Sequence, residues 1–111
     1  MISKKYNKTK TYCFIYGLIH PETREVLYIG KAYDPLNRYA YHSRSKSIAD
    51  QPIHRYINKM HKVLGKIPNL YLFEIANHVV AKERECYWIN KFLIEGHPLK
   101  NKVNIKYIKR Q

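Results

Sequence analysis

A chain of 111 residues with 45% hydrophobic side chains is sized for one domain around one core. Its 21 Lys and Arg stand against 8 Asp and Glu, a net charge of +13. That excess points to a polyanionic partner, because cations set on phosphates release condensed counterions. No apolar run approaches the ~20 residues of a membrane span, and the apolar stretch Cys13 to Ile19 breaks at His20-Pro21 without a signal-peptide cleavage pattern. Cys13 and Cys86 make neither a metal pair nor a disulfide framework. A protein of the reducing cytoplasm with no membrane partner is expected.

Residues 1–10 read as a basic arm carrying Lys4, Lys5, Lys8 and Lys10, and residues 11–111 as a single domain. Tyr12 to Ile19 is dense in aromatic and β-branched residues, as a strand should be, with Tyr12, Phe14, Tyr16 and Leu18 on one face. Pro21 to Glu25 is a turn, and Val26 to Gly30 the returning strand. Asp34-Pro35 opens a helix, since Asp can cap and Pro at the first turn loses nothing. Arg38 and His42, four residues apart, fall one turn apart on the same side of it. Ser43 to Gln51 is polar and reads as a loop. Ile53, Ile57, Met60, His61 and Leu64 then repeat at helical spacing up to Gly65.

Pro68-Asn69 leads into a third strand, Leu70 to Ala76, and Asn77 is placed to cap a helix from Val79 to Ile94, ended by Gly96 and Pro98. Val103-Asn104-Ile105 reads as a short edge strand or packed coil. The order β-β-α-α-β-α predicts an α+β fold, a small three-stranded antiparallel sheet flanked by helices.

The last helix carries an anomaly. Ala81, Glu85, Trp88, Ile89 and Phe92 share one stripe, which should be buried, yet a carboxylate sits in its middle. A charge there is costly unless paired or metal-bound. Glu83 points well off that stripe, so Glu85 is the acid to watch; a lysine partner at the stripe edge is the alternative reading.

These residues together resemble the GIY-YIG nuclease family. Phe14-Ile15-Tyr16 stands where the first tripeptide has Gly-Ile-Tyr, and Tyr28-Ile29-Gly30 matches the second. Arg38 follows Gly30 by eight residues, and His42 follows Arg38 by four. Glu85 precedes Trp88-Ile89, and Asn104 precedes Ile105, as similar elements do in that family. The departure is Phe14, at a scaffold position. The resemblance spans Tyr12 to Ile105 and implies a metal-dependent endonuclease cutting DNA, one strand per active site, with RNA left open as substrate.

The resemblance implies that Glu85 holds one Mg²⁺, with Mn²⁺ able to substitute, and that Arg38 grips the phosphate, which suits its planar fork. Tyr16 is favoured as the base, Tyr28 and His42 complete a proton relay, and Asn104 holds the group together; the division of labour among Tyr16, Tyr28 and His42 stays open. His54 is a further candidate, set against a surface histidine. Lys31, Lys59, Lys62 and Lys66 are candidate phosphate contacts, set against simple solubilising lysines.

Small size and basicity, with no added DNA-binding domain in this sequence, fit a phage or mobile-element nuclease in the host-cell cytoplasm. Oligomeric state and target stay open. The alternative is a non-catalytic basic nucleic-acid-binding module on the same fold. Singly, each tyrosine could be strand packing, and Arg38 with His42 a solvated basic helix face.

Overall fold

The run of aromatic and branched residues from Tyr12 to Ile19 forms β1, the middle strand of a three-stranded antiparallel sheet whose outer strands are Val26–Ala32 and Asn69–Asn77. In the computed structural model, which describes residues 11–43 and 52–101, β2 (Val26–Ala32), α1 (Pro35–Ser43), α2 (Pro52–Leu64), β3 (Asn69–Asn77) and α3 (Ala81–Ile94) follow. This is the expected α+β order. The arm 1–10, the loop 44–51 and the tail with Val103, Asn104 and Ile105 lie outside the described residues.

Two breaks in register shape the sheet. Leu18 faces Tyr28 and Ile19 faces Val26, so Leu27 is an extra residue in β2. Ile15 faces Glu74 and Tyr16 faces Leu72, so Phe73 is extra in β3. Each works as a β-bulge, which turns a side chain out of strict alternation. Leu27 thereby joins Tyr16, Leu18, Ile53, Ile57 and Met60 in one core layer beneath α2. Phe73 packs against the other layer, Ile15, Val26, Ile29, Ile89 and Phe92, beneath α3.

The structure departs from expectation at several points; β3 runs Asn69–Asn77, one residue longer at each end, and Ser43 belongs to α1 rather than to the loop. β2 continues past Gly30 because Lys31 and Ala32 still pair with Ile15 and Phe14. α3 begins at Ala81 and not at Val79, and its N-cap is Val80 without a side-chain cap; the Asn77 side chain instead accepts from the Val79 N–H at 2.9 Å, making a tight turn before the helix. On α2, Ile53, Ile57 and Met60 are buried as expected, whereas His61 and Leu64 are exposed. His54 is buried instead, beside Ile53 at the start of α2, while the last four residues, His61 to Leu64, are all exposed. Gly65 ends the helix at φ 69°, a conformation glycine adopts without strain.

Asp34 caps α1 as anticipated, its carboxylate accepting from the Asn37 N–H at 3.1 Å. No helix among the described residues is long and apolar enough to cross a membrane.

Candidate active site

Tyr16 and Tyr28 are brought together by the β1–β2 ladder, in which Tyr16 faces Gly30 and Leu18 faces Tyr28. Their ring centroids are 6.2 Å apart at an interplanar angle of 44°. A Cβ built on Gly30 would meet Tyr16 Cζ and Oη at 2.6 Å, so the first motif tyrosine occupies the space above the second motif's glycine. Tyr16 is almost fully buried, and Tyr28 half-buried.

The two phenols are not equivalent. Burial pushes both above the ordinary tyrosine value. A side-chain hydrogen bond between the two raises Tyr16 further and lowers Tyr28. Arg38, exposed on α1, favours the phenolate of both rings, while Glu85 opposes it in both. Both phenols hold their protons more tightly than a free tyrosine, and Tyr28, lowered where Tyr16 is raised by their mutual hydrogen bond, is the easier of the two to ionise.

Glu85 lies on the buried stripe of α3, beside the buried Ala81, Ile89 and Phe92 and the half-buried Trp88. Burial holds its carboxyl above the usual range, partly offset by Lys31 and Lys82. Among the described residues Glu85 has no hydrogen bond and no ion pair. Other acids of the chain differ: Glu74 takes Arg84 at 2.9 Å and the Trp88 indole N–H at 2.8 Å, Glu22 takes Lys66 at 3.0 Å, and Glu95 takes Lys91. Glu83 is exposed, as its place off the stripe requires.

A hard cation fits this carboxylate in one specific way. Among the described residues no three His, Cys, Asp or Glu side chains are grouped to enclose a metal. Glu85 could supply a single ligand, the arrangement of a Mg²⁺ that keeps several waters and takes substrate phosphate oxygens. Cys13, which also feels Glu85 and Lys31, is buried as a small core residue and held as the thiol, chiefly by that burial.

The remaining candidates separate. His42 falls on the last turn of α1, one turn beyond Arg38. His54 is not a surface histidine but is buried on the first turn of α2, next to Ile53 of the Tyr16 core layer. Lys31 is exposed within electrostatic reach of Glu85. Lys59 and Lys62 are exposed on α2, while Lys66 is engaged by Glu22. Asn104 lies outside the described residues.

A different asparagine, missed in the sequence, secures the site. The Asn101 carboxamide accepts from the Ile29 N–H at 3.0 Å and donates to the Ile29 carbonyl at 2.7 Å. Ile29 sits between Tyr28 and Gly30 on an edge strand, and Asn101 satisfies both backbone groups as a further strand would. His97 Nδ1, accepting from the Val26 N–H at 2.9 Å, and the Lys100 N–H, donating to the Leu27 carbonyl at 2.6 Å, extend the same strap along β2. The signal was faint: a lone Asn after the α3 stop carries no spacing that points to a strand more than 70 residues earlier.

Comparison with models of protein families, with curated proteins and with solved structures gave no match.

Proposed function

We propose that this chain is a metal-dependent endonuclease of GIY-YIG type that hydrolyses phosphodiester bonds in DNA, nicking one strand per active site. The observation that carries the reading is Glu85: a half-buried carboxylate without a partner among the described residues, in a chain of net charge +13, sharing one electrostatic neighbourhood with Tyr16 and Tyr28. An acid kept costly in this way is better accounted for by a ligand than by packing.

Arg38 would take the non-bridging oxygens of the scissile phosphate, with its charge beside both phenols. Tyr28 would orient the attacking water and accept its proton, while Tyr16, donating its own, would hold the Tyr28 oxygen in place. Mg²⁺ bound at Glu85, or Mn²⁺ in its place, would supply neutralisation of the phosphate and help for the leaving 3′ oxygen. Asn101 would keep Tyr28 in register by clamping Ile29.

Incubating supercoiled plasmid with the protein and Mg²⁺, with and without a chelator, tests this directly. Open circles with Mg²⁺ and none with chelator are expected. DNA that is bound but stays uncut under every divalent cation tried would leave the non-catalytic binding module as the reading.

A further inference from the structure

A second basic feature lies away from these residues. Arg55, Lys59 and Lys62 are all exposed on α2 at steps of four and three, one stripe along the helix. Beside the stripe, a groove of about 450 Å³ has the buried Met60 as its apolar floor and is lined by the exposed Val63 and Leu64 and by Tyr56, Lys59, Lys100 and His20. Lys100 Nζ stands 5.0 Å from the Tyr56 ring centroid, and its backbone is tied to β2 through the Leu27 carbonyl.

The charge here is one-sided. α2 contains no acidic residue, and among the described residues no carboxylate pairs with Lys59, Lys62 or Lys100. The nearby Glu22 is already taken by Lys66. Glu74 and Glu83 belong to β3 and α3 and Glu95 caps α3, where Arg84 and Lys91 answer two of them; Glu25, bonded through its carboxylate to Thr23, pairs with His20 through its backbone carbonyl. His20 follows Tyr16 by four residues, roughly 13 Å along β1, a length that duplex DNA covers in about four base pairs.

We infer that this groove is a second contact for the sugar–phosphate backbone of duplex DNA, with Lys59 and Lys100 on the phosphates and the apolar floor beneath the sugars. The inference deepens the nuclease reading and rests on it for the choice of DNA. The occupant follows from the charge: a polyanion meets the unanswered lysines, and the narrow apolar floor suits sugar faces. Separated from the tyrosines, the contact would fix how the duplex lies across the protein without touching the reacting phosphate.

The test is the affinity of a fluorescent 30-base-pair duplex, measured by anisotropy without divalent cation between ~50 and ~200 mM NaCl. Lys59→Gln/Lys100→Gln should flatten the slope of log affinity against log salt by about 1.8, two phosphate contacts' worth. Arg84→Gln/Lys91→Gln removes the same charge from cations already paired with Glu74 and Glu95 and should leave the slope unchanged. Equal flattening in both, or none in the first, overturns the inference. Should Lys100→Gln disturb folding, Lys59→Gln alone should still flatten the slope by about 0.9. Flattening without any Mg²⁺-dependent cutting would sink the nuclease and keep the groove; cutting with an unchanged slope would do the reverse.

Discussion

The phenol of Tyr16 lies against Gly30, its partner across the β1–β2 ladder, close enough that a Cβ at position 30 would reach 2.6 Å from the hydroxyl oxygen. The glycine of the second tripeptide thus has a steric cause, and it ties the two motifs into one object. Gly30→Ala should cost about 1–3 kcal/mol through overpacking, because Tyr16 is buried and cannot swing aside. Gly65→Ala, where nothing lies within 4 Å, should cost about 1–2 kcal/mol from its φ of 69° alone. Chemical denaturation compares the two, and only the first should also disturb the tyrosine absorbance that reports the Tyr16–Tyr28 hydrogen bond.

The unequal phenols predict a pH profile. Both tyrosines are raised above the ordinary value, so both are protonated at neutral pH. A rate that depends on the Tyr28 phenolate should climb about tenfold per pH unit from pH 7 with no plateau below about pH 10. Tyr28→Phe should lose that slope together with a factor of roughly 10²–10⁴ in rate. Tyr16→Phe should keep the slope and lose about tenfold, the worth of one hydrogen bond. The same slope in Tyr28→Phe as in wild type would reassign the base.

Glu85 predicts a conflict between stability and activity. Its folded-state pKa is raised, so ionisation costs folding free energy at every pH above that value. The cost disappears as pH falls through the raised pKa towards the ordinary glutamate range. Glu85→Gln should therefore raise the melting temperature at pH 7 without metal, each kcal/mol gained being worth roughly 4–8 °C in a domain of this size. The advantage should vanish near pH 4. Cleavage should fall by roughly 10²–10⁴, several kcal/mol of lost transition-state stabilisation. Glu83→Gln, at an exposed position, should match wild type in both measurements. A Glu85→Gln protein less stable than wild type at pH 7 would mean that the carboxylate is structural.

Element types were legible in the sequence because periodicity and turn chemistry agreed, and so was the anomaly of Glu85, visible as a charge on an apolar stripe. Less local features were hidden. The bulges at Leu27 and Phe73 leave no mark in a period-two pattern, since each residue is apolar and fits either face. The burial of His54 depends on where α2 crosses the sheet, which periodicity does not fix. The deeper burial of Tyr16 than of Tyr28 depends on how the layers pack, and two similar tripeptides give no hint of that.

Asn101 is the clearest case of a residue invisible until the strands pair. Its carboxamide meets the Ile29 N–H and carbonyl at 3.0 and 2.7 Å on the open edge of β2. Asn101→Ala leaves both groups unanswered and should cost about 1–3 kcal/mol, or roughly 4–8 °C in melting temperature per kcal/mol. Asn101→Asp keeps an acceptor for the N–H but turns a negative oxygen toward the Ile29 carbonyl, so it should be at least as damaging at pH 7 and should recover on acidification. Amide exchange at Ile29 in both variants reads the effect at its origin; unchanged protection there would show that the strap holds without this side chain.

The number of cuts per encounter follows from the number of sites. The described residues hold one Tyr16, Tyr28, Arg38 and Glu85 constellation, and one such site can act on one strand per engagement. A monomer should therefore nick, and a double-strand break should need a second event or a second copy. On supercoiled plasmid the open circle should accumulate first, with the linear form appearing only later. Raising the protein concentration should shorten that lag if two copies meet on the DNA, and leave its shape unchanged if one copy acts twice. Linear product appearing first, at dilutions where light scattering shows a monomer, would break the link between one site and one cut, while leaving the metal role of Glu85 to be judged by its own variant.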